Sequence, residues 1–242
     1  MDKEIKDIWL PHIPKNAGST IVNSLELYTR FCPYNECFDW LQSENGDFVH
    51  IINKKTQKQV KANHANPLEK GMDDWLKILI IRNPVDRFLS RFNFFQWEKY
   101  YLKKEIDIPT LDRYILIAQK EGTLTTHLQW LTNHQAVKWT QNPLVHEFTV
   151  KNVFDIFDYI IDVSNIQKVF TLIENNFLQT KIKWPSANTS EKNFAAMTEL
   201  PNVVPSKVLL KKDLTDEQLE AIYQLNDIQE DLKFYNLTKE RI

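Results

Sequence analysis

Apolar residues along the chain fall into short continuous runs and runs at helical spacing, and the two kinds alternate. Ile8-Trp9-Leu10 and Ile78-Leu79-Ile80-Ile81 are continuous; such runs suit strands buried on both faces, as in a parallel sheet. Tyr159-Ile160-Ile161-Asp162 predicts another short strand, and residues 48–62 a hairpin or irregular strand pair. Ile21, Leu25 and Tyr28 fall on one face of a helix that should stop before Pro33. After Pro84, the positions Phe88, Leu89, Phe92 and Phe95 make an apolar stripe that predicts a helix running to Tyr100, its aromatic residues in the core. One or two helices are expected over 111–132, a helix over 166–177, and one from Leu214 to Phe234 carrying Leu219, Ile222, Leu225 and Ile228. Thr215 with Gln218 makes a capping box at its start. The alternation predicts the α/β class, with a parallel sheet and right-handed crossovers. No repeat or Pro/Gly-rich linker divides the sequence, so one domain over 1–242 is expected.

The loops after the two strongest strands carry the chemistry. Residues 11–20 read Pro-His-Ile-Pro-Lys-Asn-Ala-Gly-Ser-Thr, between the first strand and the first helix. A lysine, a glycine and two hydroxyls at a helix start suit a phosphate-like group, because unpaired N–H groups and the helix dipole both favour an anion there. Lys15 supplies a full charge and Gly18 permits close backbone approach. The loop is not a Walker A sequence, lacking its first glycine and the Gly-Lys-Ser/Thr order. After Ile81 the chain reads Arg-Asn-Pro-Val-Asp-Arg-Phe-Leu-Ser. Asn83 is placed as an N-cap, Pro84 as the first helical residue and Asp86 three after the cap. Arg82 then leaves a buried strand at the edge where α/β proteins bind ligands, and Ser90 lies further along the helix.

Together these two segments resemble the sulfotransferases that use PAPS (3′-phosphoadenosine 5′-phosphosulfate), most closely the carbohydrate-type, Golgi-related branch and its bacterial relatives. The resemblance is strong over the two motifs and weak elsewhere. It implies a P-loop NTPase-like three-layer fold, a central parallel sheet flanked by helices. It also implies that Lys15 and the Ala17, Gly18, Ser19, Thr20 stretch hold the phosphosulfate, with Asn16 in the same loop, and that Arg82 and Ser90 hold the 3′-phosphate. Two departures stand out: Asn16 replaces the usual threonine, and the hydroxyl pair is Ser-Thr rather than Thr-Ser. Both keep hydrogen-bonding capacity.

By analogy with phosphoryl transfer, sulfuryl transfer asks the protein to align the partners and stabilise charge on the leaving phosphate. Lys15 suits the second task, and a histidine near neutral pKa suits deprotonation of the acceptor hydroxyl. Of the six histidines, His12 is expected to be structural. His64, in Ala62-Asn63-His64-Ala65-Asn66-Pro67, lies where related carbohydrate sulfotransferases place their base; its alternative is a capping or surface histidine. His127 and His134 are seven apart on an expected helix and read more readily as ordinary helix residues. The segment 185–194 resembles a late loop near the cofactor in this family, making Asn188, Ser190 and Lys192 cofactor candidates; a plain surface turn is the competing reading. Thr126 and Gln129 precede Trp130 in a stretch that relatives use near the acceptor.

Composition narrows the picture further. A net charge of −2 gives no drive toward nucleic acid or an anionic membrane, and it argues against a heavily sulfated polymer as acceptor. Lys54, Lys55, Lys58 and Lys61 read as a solvated face, with an acceptor rim as the lesser reading. Cys32 and Cys37 are the only cysteines, so a disulfide scaffold is excluded, while one local bridge stays open. There is no His-Glu-x-x-His, Cys-x-x-Cys pair or Asp-rich calcium loop, so no metal is expected. The opening residues lack an apolar stretch. The expectation is a bacterial cytoplasmic enzyme without a membrane segment, or a Golgi lumenal one whose anchor has been trimmed.

The leading expectation is therefore a PAPS-dependent transfer to a hydroxyl-bearing acceptor, by family resemblance a saccharide. A P-loop-type nucleotide kinase is the second reading, but it needs a magnesium-binding hydroxyl after the lysine and an acidic strand end. A homologue that binds anions without catalysis is the third.

Overall fold

The two continuous apolar runs become neighbouring parallel strands. The computed structural model describes residues 5–17, 21–22, 24–25, 29, 35–41, 50–63, 68–100, 110–122, 126–135, 147–181, 184 and 208–241. They form strands β1 (Ile8–Pro11), β2 (Phe38–Leu41), β3 (His50–Asn53), β4 (Gln59–Asn63), β5 (Leu76–Ile81) and β6 (Tyr159–Asp162). The α-helices are α1 (Pro84–Tyr100), α2 (Leu111–Glu121), α3 (His127–Gln135), α4 (Val150–Ile156), α5 (Ile166–Ile173), α6 (Asp216–Tyr223) and α7 (Asn226–Arg241); Ile21, Val22, Ser24, Leu25 and Thr29 are also helical. The chain forms two compact units, one of Met1–Ile81, His127–Ser186 and Ile242, the other of Arg82–Thr126 and Ala187–Arg241.

The first unit holds the whole six-stranded sheet, in the order β2-β3-β4-β1-β5-β6. Strands β4, β1, β5 and β6 run parallel. β1 and β5 are buried at every residue, as a strand covered on both faces must be. One face carries Ile8, Leu10, Val60, Ala62, Ile78 and Ile80, packed with Ile21 and Leu25 and with Val169, Phe170 and Ile173 of α5. On the other, Trp9 stacks on Phe157, the C-cap of α4, at 5.3 Å. Full burial of each such large side chain contributes roughly 1.5–3 kcal/mol. The sheet is thus an α/β sheet flanked by helices.

Two details depart from the sequence-based expectation within this unit. The sheet is not wholly parallel, because β3 pairs antiparallel with both β2 and β4. The expected hairpin is β3–β4, closed by Asn53, whose Oδ1 accepts from the Lys55 and Thr56 N–H groups at 3.1 and 3.3 Å; β2 had no counterpart. Secondly, the helix expected over 166–177 is α-helical only to Ile173 and continues as a π-helical turn, Glu174–Leu178. The wider turn puts Phe177 and Leu178 into the core, and Asn53 Nδ2 donates to the Phe177 carbonyl at 2.9 Å.

The second unit is helical. Val85, Phe88, Leu89 and Phe92 of α1 pack with Tyr114, Ile115 and Ala118 of α2 and with Ile222, Leu225 and Ile228, so the aromatic stripe is core. Phe88, Phe92 and Phe95 ring Tyr114 at 4.9, 5.4 and 5.6 Å, and burial pushes the Tyr114 hydroxyl up to about 12. Asn93 holds residue 209 by a reciprocal pair of bonds, Nδ2 to the Leu209 carbonyl at 2.9 Å and Oδ1 from its N–H at 3.1 Å. The expected helix over 214–234 is two, α6 and α7. A tight Leu225 N–H to Ile222 carbonyl bond ends the first, and Gln229 N–H to Leu225 opens the second. The Thr215–Gln218 capping box is present.

Candidate functional site

The first motif begins where β1 ends. The Asn16 N–H donates to the Ile13 carbonyl at 3.1 Å, closing a turn with Pro14 second and Lys15 third. Lys15 has φ 69°. Proline followed by a positive φ is the signature of a type II turn, whose third position favours glycine or asparagine; here it is a lysine, partly exposed. Ala17 is left-handed as well, at φ 61°. Its carbonyl accepts the Ile21 N–H at 3.3 Å, so a helix starts as the turn ends. Two non-glycine residues in this region store strain of order 1–3 kcal/mol each, sustained only where the surroundings fix the backbone.

Asn16, between them, is the fixing group. It is 1% exposed, and its Nδ2 donates to the Ile80 carbonyl of β5 at 2.8 Å. Its Oδ1 is buried and accepts from none of the described residues. His12, at the strand end, is buried, consistent with the structural part expected of it.

The second motif follows β5 directly. Asn83 Oδ1 accepts from the Val85 and Asp86 N–H groups at 3.0 and 3.4 Å, and its carbonyl receives the Arg87 N–H at 2.9 Å. The expected N-cap is therefore present, with Pro84 first in α1 and Asp86 in its first turn. Arg82 and Ser90 are both partly exposed. The motif's other arginines are used internally: Arg87 pairs with Asp231 at 3.2 Å, and Arg91 lies over the Phe95 ring at 4.7 Å. Arg87 was not singled out in the sequence, and its partner, 144 residues away, leaves no local signal.

Pro11 and Asn63, the last residues of β1 and β4, are in register, as are Ile81 and Asp162 of β5 and β6. The Lys15 turn thus leaves the carboxyl edge of the parallel block, the edge at which open α/β sheets bind ligands. Asp162 also ends a parallel strand, but its Oδ1 accepts from the Ser164 N–H and hydroxyl, capping the next turn. His64 follows Asn63 in the chain; it lies outside the described residues, as do Gly18, Ser19, Thr20, Asn188, Ser190 and Lys192.

His127 and Thr126 are fully or almost fully buried. His50 hydrogen-bonds Gln59 at 2.7 Å, and burial lowers its pKa. Three of the four hairpin lysines are paired: Lys54 with Asp39, Lys58 with Asp7 and Lys61 with Glu69. Among the described residues no group of three or more His, Cys, Asp or Glu is placed to hold a metal, and no helix is long and apolar enough to cross a membrane.

A strand, a lysine turn and a helix, with a capped Arg-Asn-Pro helix after the adjacent strand, are carried by an α/β protein whose mostly parallel sheet is flanked by helices. The chain matches the model of the sulfotransferase family over residues 2–242 and belongs to that family. It is accordingly a sulfotransferase, an enzyme whose sulfuryl donor is PAPS. No curated protein matches it.

Proposed function

We propose that the protein transfers the sulfuryl group of PAPS to a hydroxyl of a saccharide, and that residues 1–242 act as one sulfotransferase domain, as the unbroken family match supports. The observation that carries the reading is Lys15 in a strained, anchored turn at the carboxyl edge of the sheet. Such a turn, running into a helix, fits an anion held by backbone N–H groups and one lysine.

PAPS, when bound, supplies an activated sulfuryl group on a phosphate that leaves readily. Lys15, with the Ala17, Gly18, Ser19 and Thr20 stretch, holds the phosphosulfate end, Asn16 lying within the same loop, and the Lys15 ammonium neutralises the charge that gathers on the leaving phosphate oxygen. Arg82 and Ser90 hold the 3′-phosphate, and Asn188 and Lys192 add cofactor contacts. The imidazole of His64 takes the proton of the acceptor hydroxyl as its oxygen forms the new bond to sulfur. His64 directly follows β4, whose end is level with that of β1, and this supports the assignment.

Titration calorimetry with PAP, the nucleotide that PAPS becomes on losing its sulfuryl group, tests the reading: the wild type binds, Lys15→Ala and Arg82→Ala each bind much more weakly, and His64→Ala binds normally without turnover. A wild type that ignores PAP overturns it. Labelled sulfate transfer to saccharide, tyrosine-peptide and lipid hydroxyls then tests the acceptor class, transfer to the saccharide alone being expected.

A further inference from the structure

We infer that Asn16 is a positioning residue for Lys15, acting through its bond to β5 rather than as a ligand of the donor. The inference rests on the reading of the Lys15 turn given above, and it assigns the side chain a different part from its neighbours.

A carboxamide offers two N–H donors on one atom and an acceptor on the other. The atom facing Ile80 is 2.8 Å from a carbonyl oxygen; a second oxygen there would repel it, so the carbonyl itself fixes which end of the amide is nitrogen. The nitrogen is thereby directed into the protein at the sheet edge. The remaining oxygen, buried and accepting from none of the described residues, has only lone pairs to present, and a phosphosulfate anion has no proton to give them. The side chain is therefore suited to hold the turn and unsuited to hold the anion.

What it holds is a backbone that does not hold itself. Lys15 and Ala17 flank Asn16 at φ 69° and 61°, a region that L-residues leave when nothing constrains them. Two bonds converge on the residue between: its own N–H to the Ile13 carbonyl at 3.1 Å and its Nδ2 to Ile80. The first closes the turn; the second ties that turn to another strand. Loss of the second frees Lys15 to relax toward negative φ, which redirects its Cβ and the ammonium beyond it.

The test uses Asn16→Asp and Asn16→Ala, each titrated with PAP beside the wild type and each melted by circular dichroism. Asn16→Asp keeps the shape, removes the donor and sets an oxygen against the Ile80 carbonyl, so PAP affinity should fall about tenfold or more near pH 8. A buried carboxyl holds its proton to higher pH than an exposed one. Toward about pH 5.5 the Asn16→Asp variant therefore regains an O–H donor, and its deficit relative to wild type should narrow. Asn16→Ala, which cannot regain a donor, should keep its deficit at both pH values. Variants that bind PAP like the wild type while melting earlier would reduce Asn16 to a stability element and overturn the inference. An Asn16→Asp deficit independent of pH, with Asn16→Ala unimpaired, would overturn it too. A wild type that fails to bind PAP instead removes the reading of the site on which the inference stands.

Discussion

Arg87 and Asp231 form a buried ion pair: Nη1 donates to Oδ2 at 3.2 Å, with the two side chains 2% and 4% exposed. Burial draws the Arg87 pKa down and Asp231 opposes the shift. The pair joins α1, the helix of the second motif, to α7. Removing the carboxylate takes its counter-charge from a buried arginine, so Asp231→Ala should destabilise the protein by about 3–5 kcal/mol. The double change Arg87→Met with Asp231→Leu should recover most of that loss. Urea unfolding of the three proteins decides it, and a loss below about 1 kcal/mol for Asp231→Ala would show that the pair is not what joins the helices.

Asn83 caps α1 beside Arg82. Asn83→Ala should cost about 1 kcal/mol of stability through the lost bonds to Val85 and Asp86. Asn83→Asp keeps the cap and suits the positive helix end, so it should melt like the wild type. It also sets a negative charge beside a site proposed for phosphate, so its PAP affinity should drop. Thermal melts and PAP titrations of both variants give the comparison; equal affinity for Asn83→Asp and wild type argues against phosphate at this helix start.

Charge and strain at Lys15 can be separated. Lys15→Ala removes the ammonium and keeps a Cβ at positive φ; Lys15→Gly removes both. The glycine variant should be the more stable of the two by about 1 kcal/mol, while both lose PAP binding. A glycine variant that melts below the alanine one would mean that the turn is not strained at this residue.

His50 predicts a pH dependence. Its pKa lies below the ordinary 6.5, chiefly through burial and also through Lys61, while the Gln59 bond, Glu69 and Asp7 oppose the shift. The folded state thus binds the proton less readily than the unfolded one, and protonation favours unfolding. The contribution is complete above about pH 6.5 and is lost as pH falls through the lower folded value. His50→Asn, which keeps an amide partner for Gln59 and does not titrate, should flatten the melting profile in that window; an unchanged slope assigns the acid sensitivity elsewhere.

Much of the fold was legible because its signals are local. Ile78–Ile81 and Tyr159–Asp162 read as strands from apolar runs alone, and the Asn83 and Thr215 caps from residue order. β2 was not, since Phe38 is buried while Asp39 and Leu41 of this edge strand are exposed, which leaves no run. In α4 only Val153 is buried, too little to set a period. The motifs singled out Lys15 and Arg82 as candidates, but the Asn16–Ile80 bond spans 64 residues and the Arg87–Asp231 pair 144. Those pairings depend on strand order and helix packing, which no local pattern encodes.

The division of the chain into units has a consequence for the order in which the molecule is made. Neither unit is one continuous stretch: the first needs Met1–Ile81 and His127–Ser186, the second Arg82–Thr126 and Ala187–Arg241. During synthesis β5 emerges well before β6, the parallel partner that covers its far edge, and α1 waits for α7 to bring Asp231 to Arg87. Closing such long loops delays the contacts that reward it. The nascent chain therefore carries β5 with one edge uncovered until β6 emerges, and Arg87 without its Asp231 carboxylate until α7 emerges.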